Sequence, residues 1–116
     1  MKTIHIFFLF IILLVGCRNN AELTMERGIQ YFEWEMLEKS ILEFKKIIHM
    51  FPADHRKLEY NEVRLLSQAH HNLAIAYAKK EWYEDAKDEA RRAFELIPTQ
   101  ENRRVLDLID NKKFNQ

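Results

Sequence analysis

Pro52 and Pro98 each close an amphipathic stretch. Laying one on the other brings the chain into register with itself at an offset of 46 residues. At that offset Gly28 falls on Ala74, Tyr31 on Tyr77, Leu37 on Tyr83, Ser40 on Ala86 and Ile47 on Ala93. Small residues recur where two helices would cross closely, and large ones recur about a helical turn away, where they would fill the gap. Self-similarity at a fixed period of this size marks a unit of supersecondary structure used more than once. Breakers are otherwise scarce, since the 116 residues hold only two Gly and two Pro. Gly and Pro are the main punctuation of local structure, so the chain reads as helical.

The periodicity predicts five helices, over residues 21–34, 37–50, 56–80, 83–96 and 100–112. The first four form two hairpins, over residues 21–54 and 67–100. About 12 residues, 55–66, are inserted between them; they contain no Gly or Pro and carry Leu58, Val63 and Leu66 at near-helical spacing. This insert is expected to lengthen the third helix at its start, with Asp54 as its N-cap. Residues 101–116 are expected to supply a helix that covers the second hairpin, through Val105, Leu106, Leu108 and Ile109.

The second hairpin, AHHNLAIAYAKKEWYEDAKDEARRAFELIP over residues 69–98, resembles a tetratricopeptide repeat (TPR). Leu73, Ala74, Tyr77, Tyr83, Ala86, Ala93, Leu96 and Pro98 stand at that family's packing positions without a gap. The first hairpin is a weaker match through Gly28, Tyr31, Leu37, Ser40, Phe44 and Pro52. It departs at Arg27, where Leu is usual, and at Ile47, where Ala is usual. The resemblance covers about two-thirds of residues 17–116. It implies an all-α, short helical-hairpin solenoid of two repeats plus a capping helix. Two repeats are fewer than the three or more that usually make a stable stack, so homo-oligomerisation is one way to complete it.

The start of the chain reads as an export signal. Lys2 is followed by ten unbroken apolar residues, 6–15. That run is too short to span a bilayer, which takes about 20. It ends in Leu14-Val15-Gly16-Cys17, which resembles the lipobox of bacterial lipoproteins. The resemblance implies a signal peptide over residues 1–16, removal of that peptide, and a covalent lipid on Cys17, palmitate included. Residues 17–20 then form a short linker. Several acyl chains, at about 0.8 kcal/mol per buried CH₂, anchor far better than one. Cys17 is the only cysteine, so it can form no intramolecular disulfide. In many such lipoproteins of Gram-negative bacteria an Asp after the Cys retains the protein in the inner membrane. Arg18 stands there, which favours the outer membrane where one exists.

Setting Lys2 aside leaves 17 Lys and Arg against 18 Asp and Glu, a balance of −1, with the signs interleaved. No basic patch or acidic tail suggests a nucleic-acid partner. His70 and His71 are adjacent, so on a helix they point about 100° apart and cannot readily share a metal ion. No HExxH or Cys–His ligand set is present. The acidic residues near the turns, among them Glu33, Glu35 and Glu38, read as solvated faces, as do Asp85, Asp88 and Glu89 with Lys87, Arg91 and Arg92. No Gly-rich phosphate loop and no nucleophile–base set appears. Catalysis, metal and cofactor binding are therefore not expected.

Repeats of this kind take partners on the concave face, formed by the first helix of each hairpin. By the resemblance that face carries Met25, Ile29 and Phe32 from the first hairpin. Gln68, His71, Asn72, Ile75 and Lys79 come from the second. Apolar residues there suit an apolar peptide or a partner helix. Trp34 and Trp82 fall in or beside the hairpin turns. The expected function is a membrane-anchored adaptor for a protein partner in the bacterial envelope. An oligomeric subunit of a transport or envelope-assembly system, such as one for pili or outer-membrane proteins, is the alternative.

Overall fold

A computed structural model describes residues 20–111. Within them the chain is all-α: α1 (Asn20–Glu33), α2 (Leu37–Met50), a 3₁₀ turn (His55–Lys57), α3 (Tyr60–Lys79), α4 (Tyr83–Leu96) and α5 (Gln100–Asp110). No strand occurs among the described residues. The readings of residues 1–19, including the signal and the lipid on Cys17, lie outside them. The helices form two hairpins in succession and one closing helix, an arrangement compatible with a short helical-hairpin repeat. No helix among the described residues is long and apolar enough to cross a membrane.

The two hairpin turns have the same backbone, 46 residues apart. Glu35 and Glu81 sit at φ 59° and 62°. The N–H of Glu35 donates to Phe32 and that of Met36 to Tyr31; the N–H of Glu81 donates to Ala78 and that of Trp82 to Tyr77. These bonds are the Schellman pattern, which satisfies the last carbonyls of a helix through one left-handed residue. The next helices start alike as well, with Ser40 donating to Met36 and Ala86 to Trp82.

The core runs along the seam of the helices. Phe44, Ile47, Leu66, Leu73 and Ala74 are fully buried there. Gly28 lets α1 approach α2, because a Cβ at that position would stand 2.5 Å from Cε1 of Phe44. Ser40 is also fully buried, and its Oγ has no hydrogen-bond partner among the described residues. Polar ties join the later helices. Ser67 Oγ donates to the carbonyl of Ala93 at 3.0 Å. His70 Nδ1 and Glu89 are 2.5 Å apart, both buried, and Arg92 donates to the same carboxylate. Carboxylates only accept, so Nδ1 of His70 carries the proton. Buried Asn102 fixes α5 by donating to Ser67 Oγ and to the carbonyls of Ala93 and Ile97.

The insert differs from the expected helical extension. Asp54 does cap a helical turn, by accepting from the N–H of Arg56 at 3.2 Å, but the turn is 3₁₀ and ends at Lys57. The Arg56 guanidinium also donates to both Asp54 oxygens, holding that carboxyl below the usual carboxylate range. The short loop is thereby tied to itself. Leu58 and Glu59 are extended, and α3 begins afresh at Tyr60. Its start is a capping box, in which Glu59 accepts from the N3 backbone and Glu62 accepts from the N–H of Glu59. Two strong caps within six residues compete, and the second begins the long helix.

Candidate functional site

Five of the residues expected on the concave face converge on one cleft. Ile29 and Phe32 of α1 face Gln68, Asn72 and Ile75 of α3 across a space of about 200 Å³. Their spacing explains the convergence. Residues 29 and 32, like 68, 72 and 75, are three or four apart and share a helix face. Ile29, Phe32 and Ile75 are partly buried, packed against the core below them yet open above. Phe44 of α2 reaches the same space from beneath. Reading the first helix of each hairpin as the lining missed it; its signal in the sequence is Gly28, whose lack of a side chain lets the ring through.

The remaining expected residues are placed differently. Met25 belongs to the core, 4% exposed, and its sulfur accepts from the Asn72 side chain at 3.4 Å. Lys79 is exposed, with its ammonium 4.8 Å over the Phe32 ring at the end of the cleft. His71 turns toward α5: its Nδ1 donates to Asn102 Oδ1 at 2.8 Å, and its Nε2 lies 3.7 Å from Glu101. It therefore lines a second, polar cleft of about 330 Å³ with Tyr60, Arg64 and Thr99. Gln68 and Asn72 line both spaces, which therefore adjoin along α3, the one apolar toward Ile75 and the other polar toward Arg64.

The chemistry of this groove is that of contact. Its apolar part offers a floor for aliphatic or aromatic side chains, with the amides of Gln68 and Asn72 at its edge. Among the described residues, no group of three or more His, Cys, Asp or Glu side chains is placed to hold a metal ion. Elsewhere a shallow depression of about 580 Å³ runs along the outer face of α5, from Phe94 to Asn111. A third region, near His55, His70 and Arg92, lies between the 3₁₀ turn and α4. There the Arg92–Glu89–His70 set is already closed upon itself.

The hairpins are also held to each other. Lys80 at the end of α3 donates to Glu38 at the start of α2, and this hydrogen-bonded ion pair holds the Glu38 carboxyl below its ordinary value. No family model, no curated protein and no solved structure matches the chain.

Proposed function

We propose that the chain is a lipid-tethered adaptor of the tetratricopeptide type, which binds a protein partner in the groove along α3 at the bacterial envelope. The observation that carries this reading is the open apolar cleft of Ile29, Phe32, Phe44 and Ile75, flanked by the amides of Gln68 and Asn72. Its volume, about 200 Å³, is below the range of about 300–1,000 Å³ common for small-molecule sites. One or two side chains of a partner helix or peptide suit such a space better than a metabolite does. Binding through a groove of this kind uses anchors spaced along one face of the partner. The lipid on Cys17 would keep the domain close to the membrane, and the role is one of holding a partner, without catalysis.

The test is site-specific photo-crosslinking in cells, with one probe at Ile75 and a control at exposed Asp88 on α4. A discrete adduct at Ile75 alone supports the groove, and mass spectrometry then identifies the partner. Adducts at Asp88 only, or at neither position, overturn it. Incorporation of labelled palmitate that persists in Cys17→Ser would remove the anchor from the reading.

A further inference from the structure

The hairpin tips carry large apolar side chains that remain exposed, although Trp34 packs edge-on against Tyr31 and Trp82 packs against Tyr77. Trp34 is 62% exposed, Met36 42% and Trp82 47%. The tips lie at one end of the molecule, because Lys80 both reaches Glu38 at the start of α2 and stands 4.7 Å over the Trp82 ring. Single apolar residues on a surface are ordinary. Of the seven large hydrophobics exposed among the described residues, three, both tryptophans included, belong to the two tips.

The backbone supplies a second observation. Glu35 and Glu81 adopt the left-handed conformation in which Gly is the usual residue. Both turns thus hold a carboxylate at a position where it costs stability. Each of these exposed carboxylates stands beside the exposed tryptophan of its own tip, Glu35 after Trp34 and Glu81 before Trp82. Among the described residues Glu33, Glu35, Glu81 and Glu84 make no ion pair. The nearby lysines are engaged: Lys39 over the Tyr31 ring, Lys79 over Phe32, and Lys80 with Glu38. Four carboxylates without an ion pair thus border the exposed apolar residues, among Lys39, Lys45 and Lys79, which keep their charge over their rings.

We propose that this end is a docking surface for a basic protein segment. Its aliphatic side chains would cover Trp34, Met36 and Trp82, and its Lys or Arg side chains would meet Glu33, Glu35 and Glu81. The Trp34 indole also favours a cation, whereas that of Trp82 already carries Lys80. An anionic lipid surface is disfavoured by the same carboxylates, since membranes of that kind attract basic segments. A second copy of the chain is disfavoured as well, because a two-fold contact would set one acidic rim against another. The surface adjoins the Lys79 end of the cleft but includes none of the residues that line it, so the proposal does not depend on that reading.

Trp34 and Trp82 are the only tryptophans in the chain, so indole emission reports on this end alone. The full chain, purified in a non-ionic detergent, is titrated with a short capped peptide of Leu and Lys, and separately with a Leu and Glu peptide of the same pattern. The Leu–Lys peptide is expected to shift the emission to shorter wavelength, saturably, and to protect both indoles from acrylamide. Raised salt weakens the effect, and the Leu–Glu peptide produces none. The triple variant Glu33→Lys, Glu35→Lys, Glu81→Lys, with helical circular dichroism retained, is expected to lose at least about tenfold in affinity. An equal response to both peptides overturns the proposal, and so does a folded triple variant of unchanged affinity. A shift produced by phosphatidylglycerol vesicles in place of the peptide assigns the surface to lipid. A shift that grows with protein concentration alone assigns it to a second copy.

Discussion

Gly28→Ala tests the packing on which the candidate groove rests. In an ordinary helix interior this substitution stabilises by about 1 kcal/mol, because Ala is the better helix former. Here the new methyl would stand 2.5 Å from Cε1 and 2.8 Å from Cδ1 of Phe44, where ordinary contact begins at 3.4 Å. The ring must retreat by about 0.9 Å to restore it. Phe44 is 1% exposed, and the open space beside it is the cleft it shares with Ile29 and Ile75. Overpacking of this kind costs about 1–3 kcal/mol. The steric cost outweighs the propensity gain, and the expected net loss is about 1 kcal/mol, or about 4–8 °C in Tm for a domain of this size. Thermal and urea melts followed by circular dichroism measure it. Phe44→Leu supplies the control, since Gly28→Ala should become neutral or stabilising once the ring is gone. A raised Tm for Gly28→Ala in the wild-type background would refute the close approach of α1 and α2 and the floor assigned to the cleft.

Three other perturbations have outcomes set by the same structure. Ser40→Ala is expected to stabilise by about 1 kcal/mol, because it removes a buried hydroxyl without a partner, and an unchanged or lower urea midpoint would contradict that. Asn102→Ala should cost about 2 kcal/mol by removing the donor to Ser67 and to the carbonyls of Ala93 and Ile97; hydrogen exchange should then quicken in α5 while α1 and α2 stay protected. The Glu38 carboxyl is held below its ordinary value by Lys80, so its pairing supports the fold above that value and is lost as pH falls through the lowered one. NMR titration of Glu38 should return to the ordinary range in Lys80→Ala, and no change there would remove the ion pair from the account.

Much of the fold was legible in residue order because helices are local objects. The second and fourth helices were expected over residues 37–50 and 83–96, where α2 and α4 lie. The offset of 46 residues reappears as two turns with the same hydrogen bonds and the same left-handed Glu. Periodicity, Pro and the shortage of Gly suffice for that, since each acts through neighbours a few residues away. The insert was harder, because an Asp54 turn and a Glu59–Glu62 capping box compete within one short stretch. Nothing in periodicity ranks one cap above the other.

Side-chain partnerships from other helices were decided only by the tertiary structure. α3 sends Asn72 toward Met25 and His71 toward Asn102, although the two residues are adjacent. His70 faces the other way, into Glu89. Whether a residue at a concave-face position ends as core, cleft wall or tie to α5 depends on what lies opposite, and that neighbour comes from elsewhere in the chain. Gly28 and Phe44 make the point most directly. The equivalent residues of the second hairpin are Ala74 and Ala90, both buried small side chains. The repeat in the sequence determined that two hairpins form and where they turn. The exchange of a small pair for a glycine and a large ring, which only close packing of α1 on α2 accommodates, shaped the floor of the cleft.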